Sequence, residues 1–304
     1  MKVIDFYSKR WIFFGIALAT IVVGIIAGFV NGVELDIYFK GGSILKYNYV
    51  GDVDANKAAD IASNIVGRAV STQITTELSS GEKRLIINIS GNYGLDAKLQ
   101  KELDEALKGA FPGSDLKLSE SSMVEPFFGR MFLRNGIMAL LIASFFVVIY
   151  VWIRFRKIGG LSAGIMALIA LLFDIIVVFI THIIFRIPIG DSFVAVALTI
   201  IGYSINDTIV VYDRIRENRK LYPKLAIEEV TNLSITQSMT RSINTSVAVF
   251  ISVTVVYILA FANSIEAVQG FALPMAMGTI AGCFSSLCIA ENLWVMWNKR
   301  EAKA

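Results

Sequence analysis

Apolar residues along this chain gather into six stretches at 11–30, 134–153, 160–182, 190–212, 242–262 and 270–297. Each is close to the ~20 residues a helix needs to cross a bilayer. Between the first and second the pattern changes to short β-rich runs alternating with amphipathic helical stretches. Strands are predicted at 33–39, 43–50, 72–78, 83–90 and 116–124, and helices at 54–70 and 95–110. Gly41-Gly42, Ser79-Ser80-Gly81 and Pro112-Gly113 punctuate them as turns. The order ββαββαβ predicts helices on one face of an antiparallel sheet, close to a ferredoxin-like unit. The fold class is therefore an α-helical polytopic membrane protein with six transmembrane helices and one extracytoplasmic α+β, ferredoxin-like domain. Its expected divisions are an N-terminus with the first span (1–30), the α+β domain (31–133), and a five-helix bundle (134–304) with a cytoplasmic loop at 213–241.

Composition sharpens this reading. The chain is 55% hydrophobic and 17% charged, against about 45–50% and 25% for a soluble domain, which argues against a soluble enzyme. The first span follows Lys2, Lys9 and Arg10. Its apolar run is longer than the ~7–15 residues of a signal-peptide core, so it is read as an uncleaved span. Basic residues in the short connections set the orientation. One side receives Lys2, Lys9 and Arg10, then Arg154, Arg156 and Lys157, then the cluster from Arg214 to Arg241, and finally Lys299, Arg300 and Lys303; the other has Arg186 alone in its two short loops. Both termini are thus expected in the cytoplasm and residues 31–133 outside. The basic excess belongs to the membrane part, so it speaks for topology and against nucleic-acid binding. The two cysteines, Cys283 and Cys288, and the one histidine, His182, supply no disulfide framework, no metal site and no convincing nucleophilic triad. No cofactor is expected. The α+β domain, without cysteine or histidine, suits binding or mechanical work better than catalysis.

Polar groups inside the spans are the candidate chemistry, since an ionisable side chain at mid-membrane costs at least about 2.5–3.5 kcal/mol. Asp207 lies in Gly202-Tyr203-Ser204-Ile205-Asn206-Asp207-Thr208, roughly 9 Å inside Asp213 at 1.5 Å per residue. Tyr203 and Ser204 share its helix face. One reading is a helix-packing hydrogen bond; the other is a proton or ion site, because low dielectric disfavours the charged carboxylate and a mobile cation restores it. Arg241, flanked by Thr240, Ser242, Thr245 and Ser246, is the candidate cation, and snorkelling to headgroups is its plainer alternative. Asp174, eight residues before His182, is a second partner in the same pathway or an interhelical hydrogen bond. Glu291 is expected to reach the cytoplasmic interface, and His182 to sit at the outer one. Gly24-xxx-Gly28, Gly160-xxx-Gly164 and Gly278-xxx-Gly282 permit close helix approach. Gly41-Gly42 lacks a following P-loop lysine and reads as a hairpin turn. Without a nucleotide motif, energy for transport would come from an ion gradient or a partner ATPase.

The run from Leu198 to Asn218, with Ser234-Ile235-Thr236-Gln237-Ser238-Met239-Thr240-Arg241-Ser242 and Phe284-Ser285-Ser286-Leu287-Cys288-Ile289-Ala290, resembles the signature of the SecF family of protein-export membrane proteins. That family usually has Asp-Phe-Thr-Gly-Gly after the first span, where this chain reads Tyr38-Phe39-Lys40-Gly41-Gly42 with its nearest carboxylate at Asp36. Phe173 stands where many relatives have histidine. The resemblance implies half of a resistance-nodulation-division assembly in the bacterial cytoplasmic membrane, paired with SecD beside the SecYEG channel, with YajC as a further companion. It would use the proton gradient to draw an unfolded polypeptide outward, amid membrane lipids. Asp207 would carry the proton, Arg241 would switch with it, and Asp174 would assist. Tyr203, Ser204, Asn206, Thr208, Thr240 and Thr245 would line the pathway. A proton-driven exporter of small molecules or lipids, and a purely structural scaffold, are the competing readings.

Overall fold

The computed structural model describes residues 3–36, 41–76, 83–91, 94–124, 126–263 and 265–301. The helix α1 (Arg10–Asn31) leads into a small sheet unit, β1 (Gly42–Tyr49), α2 (Ala55–Val66), β2 (Val70–Thr76), β3 (Lys83–Ser90), α3 (Ala97–Ala110) and β4 (Lys117–Val124). The chain then returns through α4 (Pro126–Arg154), α5 (Gly160–Ile184), α6 (Asp191–Leu221), α7 (Ile227–Ala262), α8 (Glu266–Cys288) and α9 (Ala290–Glu301). Six segments are long and apolar enough to cross a membrane, α8 and α9 together forming the last. The protein is thus a multi-pass membrane protein by length and composition.

Alternation along the strands explains the sheet unit. In β3 every second residue, Leu85, Ile87 and Ile89, is buried, and in β1 Leu45, Tyr47 and Tyr49 are their counterparts on the same face. Ala58 and Ala62 of α2 and Leu103 and Leu107 of α3 close over them into one apolar cluster. Such side chains contribute about 1.5–3 kcal/mol each on burial. Asp54 starts α2 by accepting from the amides of Asn56 and Lys57, and Gly67, in the left-handed region at φ 65°, ends it. The four strands run antiparallel in the order β2-β3-β1-β4. On the opposite face Lys46 and Glu120 meet across β1 and β4 at 2.7 Å.

The first expected strand, 33–39, is corrected in its described part. Leu35 makes a parallel bridge to Ile189 instead of entering the sheet. The Ile189 amide donates to the Glu34 carbonyl at 2.8 Å, and the Asp36 amide to the Ile189 carbonyl at 2.9 Å. This segment straps the link after α1 to the link between α5 and α6, because its backbone groups find partners there. Residues 37–40, with the Tyr38-Phe39-Lys40 variation, lie outside the described residues, as do 77–82 with the Ser79-Ser80-Gly81 turn. Gly42 opens β1.

Two membrane elements also differ from expectation. Residues 213–241 are mostly helical: α6 continues to Leu221 and α7 begins at Ile227, leaving only 222–226 between them. The extension holds because Asn218 donates to Ser234 Oγ at 2.9 Å and to Gln237 Oε1 at 2.8 Å, zipping the helix pair beyond the apolar spans. The last expected span is broken at Ile289, between α8 and α9. A second clasp lies nearby. Asn232 Oδ1 accepts from the amides of Phe6 and Tyr7, and Lys299 pairs with Glu228 at 2.8 Å, joining the start of the chain, α7 and α9.

The glycine patterns explain how the helices approach. A Cβ on Gly24 would run into Ile180 of α5, one on Gly164 would lie 3.1 Å from the Val148 carbonyl of α4, and one on Gly278 would lie 2.8 Å from Ile200 of α6. Helices α5, α6, α8 and α9 form the buried interior, whereas α1, α4 and α7 expose residues such as Phe29, Phe145, Ile251 and Phe261. Those apolar faces suit lipid or a partner helix.

Two substitutions test this packing. Leu103→Ala should destabilise the sheet unit by about 2–5 kcal/mol, seen as faster hydrogen exchange at the β1 and β3 amides with the bundle amides unchanged. Gly278→Val should force α8 away from α5 and α6 at a cost of about 1–3 kcal/mol, read as a lower detergent unfolding midpoint.

Candidate functional site

The interior of the bundle holds polar side chains from four helices. Asp174 on α5 is fully buried and Asp207 on α6 is 3% exposed. Ser204 and Thr208 on α6, Ser286 on α8 and Ser246 on α7 are buried with them. These residues fall on inward faces because Ser204 and Thr208 are one turn apart on α6, and Ser242 and Ser246 one turn apart on α7. Gly282, one turn before Ser286, lets the helices meet: a Cβ there would lie 3.1 Å from Ser204 Oγ.

A chain of hydroxyls follows from this approach. Ser204 Oγ donates to Asp174 Oδ2 at 2.6 Å. Ser286 Oγ donates to the Ser204 carbonyl at 3.1 Å, and Thr208 Oγ1 donates to Ser286 Oγ at 3.0 Å. On the neighbouring flank of α6, Tyr203 Oη donates to Ser246 Oγ at 3.0 Å, and Ser246 Oγ lies 3.5 Å from Asp207 Oδ2. Among the described residues Asp174 Oδ1 and Ser242 Oγ lack a hydrogen-bond partner at full bonding distance, with Ser285 placed near the Asp174 carboxyl and Ser242 near that of Asp207. The two carboxyls therefore sit in an apolar bundle with hydroxyls as their partners. Each would be expensive to keep as a bare anion, and each has donors positioned to receive or pass a proton.

Arg241 lies close enough for its charge to act on Asp207 without reaching bonding distance. Among the described residues no ion pair joins it to Asp207. Ser242 and Ser246 occupy the inward face of α7, so Arg241, 100° around the helix from Ser242, is exposed. It lines a cleft of about 490 Å³ with Asp213, Arg214, Glu217 and Gln237, at the end of the bundle away from the sheet unit. There Arg214 already donates to Gln237 at 2.7 Å and pairs with Glu217 at 2.6 Å.

The expected lining residues divide accordingly. Tyr203, Ser204 and Thr208 join the interior chain, while Asn206 and Thr240 are exposed and the Thr245 hydroxyl donates back to the Arg241 carbonyl of its own helix. Ser286 was the interior partner that single-helix reasoning missed, although its position one turn after Gly282 was available as a signal. Glu291 is corrected: instead of reaching an interface it is fully buried. His182 is likewise buried, 1% exposed, with Nδ1 bonded to the Val178 carbonyl at 2.9 Å and its ring edge-on to Phe193. No group of three or more potential metal ligands occurs among the described residues.

Comparison with known proteins gives this arrangement its relatives. Residues 103–300 match the family described as protein export membrane protein SecD/SecF, C-terminal. Protein translocase subunit SecF of Alicyclobacillus acidocaldarius is 32% identical over 299 residues, covering 97% of this chain and 93% of that one. Protein translocase subunit SecDF of Bacillus subtilis is 35% identical over 305 residues, covering 98% of this chain but 39% of its own length. The crystal structure of SecDF, a translocon-associated membrane protein from Thermus thermophilus, superposes with a TM-score of 0.79 at 24% identity, covering 98% of this chain and 39% of that one. That likeness extends the fold through both the sheet unit and the bundle. With a family match across most of its length and full-length relatives above 30% identity, this chain belongs to the SecD/SecF family as a SecF member.

Proposed function

We propose that the chain is an auxiliary subunit of a protein translocase that couples proton entry to late steps of polypeptide export. The observation that carries this reading is the pair of buried carboxyls, Asp174 and Asp207, each beside a hydroxyl from another helix, Ser204 and Ser246, while the candidate cation Arg241 stands at the exposed edge of α7, in electrostatic reach of Asp207 but not in bonding contact. A neutral Asp207 needs no cation. When its proton leaves, the anion in a low-dielectric interior draws Arg241 toward it, and α7 must turn or slide against α6. The arrangement is thereby bistable, with the proton choosing between two helix packings.

The fused SecDF of Bacillus subtilis, of which this chain spans 39%, supports a SecD partner on the exposed face. Polar residues left on that face, Asn206, Thr240 and Arg241, suit a facing helix surface better than lipid. SecYEG and YajC complete the proposed assembly. Basic residues crowd the end of the bundle away from the sheet, so that end is assigned to the cytoplasm and the sheet unit to the outside. In domain terms, 31–133 is the extracytoplasmic unit and 134–304 the bundle. The βαββαβ order of the described elements, with strands arranged β2-β3-β1-β4, supports a ferredoxin-like fold. The strap between residues 34–36 and Ile189, at the start of α6, offers a mechanical path by which a shift of α6 reaches the sheet unit. That unit would hold or draw the emerging polypeptide.

Asp207→Asn fixes the neutral state without changing shape. Gradient-stimulated export should fall at least about tenfold in vesicles carrying equal amounts of the inserted complex, and unchanged stimulation would sink the assignment. Ser204→Ala should remove the 2.6 Å hydrogen bond to Asp174 and destabilise the bundle by about 1–3 kcal/mol, read as a lower unfolding midpoint. In an Asp174→Leu background that cost should shrink below about 1 kcal/mol; an undiminished cost would show that Ser204 acts through packing alone.

A further inference from the structure

The helix break at Ile289 places a third carboxyl inside the bundle. Helix α8 ends at Cys288 and α9 begins at Ala290, so Glu291 stands in the first turn of a new helix. It is fully buried, and among the described residues neither Oε1 nor Oε2 has a hydrogen-bond partner on another residue, its own backbone amide being the donor directed at it. Two neighbours share this condition: Asn292 Oδ1 and Trp294 Nε1 are buried without partners as well. The Asn292 amide is turned the other way, donating to the Cys288 carbonyl at 2.8 Å, which satisfies a carbonyl freed by the break. A glutamate kept only for packing would be an expensive choice here, since an isolated buried anion costs several kcal/mol and leucine or glutamine would fill the same space.

The position also fits the interior chain. Ser286, which bridges Ser204 and Thr208, lies five residues before Glu291, across the break at Ile289 and on the side away from the end assigned to the cytoplasm. The groups that reach Glu291 electrostatically are Asp207 and Tyr212 on α6 and Cys288 on α8. Helices α5 and α7, which also pack against α9, contribute no titratable group to it among the described residues. No basic side chain faces it there, and the first-turn amides of α9 are the nearest source of positive potential. Glu291 therefore has what a transfer group needs: a buried carboxyl with no partner on another residue, within electrostatic reach of Asp207, at the side where protons must leave.

We propose that Glu291 is a third proton-carrying carboxyl of this chain, taking the proton given up by the Asp174–Asp207 region and releasing it to cytoplasmic water. In this step the Glu291 carboxylate gains the proton as the donor carboxyl becomes an anion. Glu291 then loses it to water and returns to the carboxylate, so charge and atoms balance with no further reagent. The inference rests on the proton-coupled reading above and is tested separately from it.

The test is infrared difference spectroscopy of the full chain with its SecD partner in proteoliposomes, stepped between acid and alkaline pH, together with gradient-driven proton uptake. Glu291→Gln should delete one carboxylic-acid C=O band that Asp207→Asn leaves in place, and slow uptake by about tenfold or more. Glu291→Asp, which keeps the acid, should shift that band and restore part of the uptake. Spectra and uptake in Glu291→Gln that match the unmodified protein would overturn the inference while leaving the Asp207 assignment standing. If Asp207→Asn itself leaves uptake intact, the parent reading falls, and the Glu291 band alone then decides whether this carboxyl exchanges a proton.

Discussion

The hydrogen bond from Ser204 to Asp174 is the contact on which the interior depends. At 2.6 Å it joins α5 to α6, and it forms where the absence of a side chain on Gly282 lets α8 come close to both. In a bundle whose surroundings are as apolar as its own core, burial of hydrocarbon gives little reason for helices to associate. Close backbone approach and satisfied polar groups have to do that instead. The same contacts that assemble α5, α6 and α8 therefore create the polar interior. The residues that hold these helices together are thus the ones that surround the buried carboxyls.

Two sets of links connect this interior to the ends of the molecule. Beyond the apolar spans, α6 and α7 remain zipped through Asn218, Ser234 and Gln237, and the start of the chain is clasped to α7 through Asn232. At the other end, the link after α1 is strapped to Ile189 just before α6. Helix α6 thus carries Asp207 at its middle, a helix pair at one end and the attachment toward the sheet unit at the other. A displacement of α6 relative to α7 has few places to go, and the strap is one of them. Under the proposed function, this is the route from a rearrangement around a buried carboxyl to the unit outside the bundle.

Much of this was legible in the sequence because its signals are local. Apolar runs near 20 residues marked the spans, and strict alternation in Leu85, Ile87 and Ile89 marked β3 within its observed limits. Buried Asp174 and Asp207 stood out because charge is scarce in those runs. Facts that depend on neighbours were not legible. Helix periodicity puts Ser204 beside Asp207 on α6, yet the structure spends Ser204 on Asp174, a pairing that requires knowing which helices touch. The sequence marks Arg241 as a cation for Asp207, but only the packing shows that a 100° step around α7 gives the inward face to Ser242 and Ser246 and leaves Arg241 at electrostatic range. Glu291 looked interfacial by its distance from the last tryptophans; the helix break and the packing of α9 against α5 and α6 bury it. Residues 33–36 alternate like a strand, and their backbone finds a partner in the bundle link instead of the sheet.

Under the proposed function, protons crossing this interior are coupled to a polypeptide in transit. Proton flux into vesicles containing the assembled complex, at a fixed gradient and with a stalled or moving export substrate, measures that coupling most directly. Flux should rise when the polypeptide moves and fall when it is stalled. Flux that is the same with moving, stalled and absent polypeptide, or no flux at all alongside normal gradient-stimulated export, would contradict it.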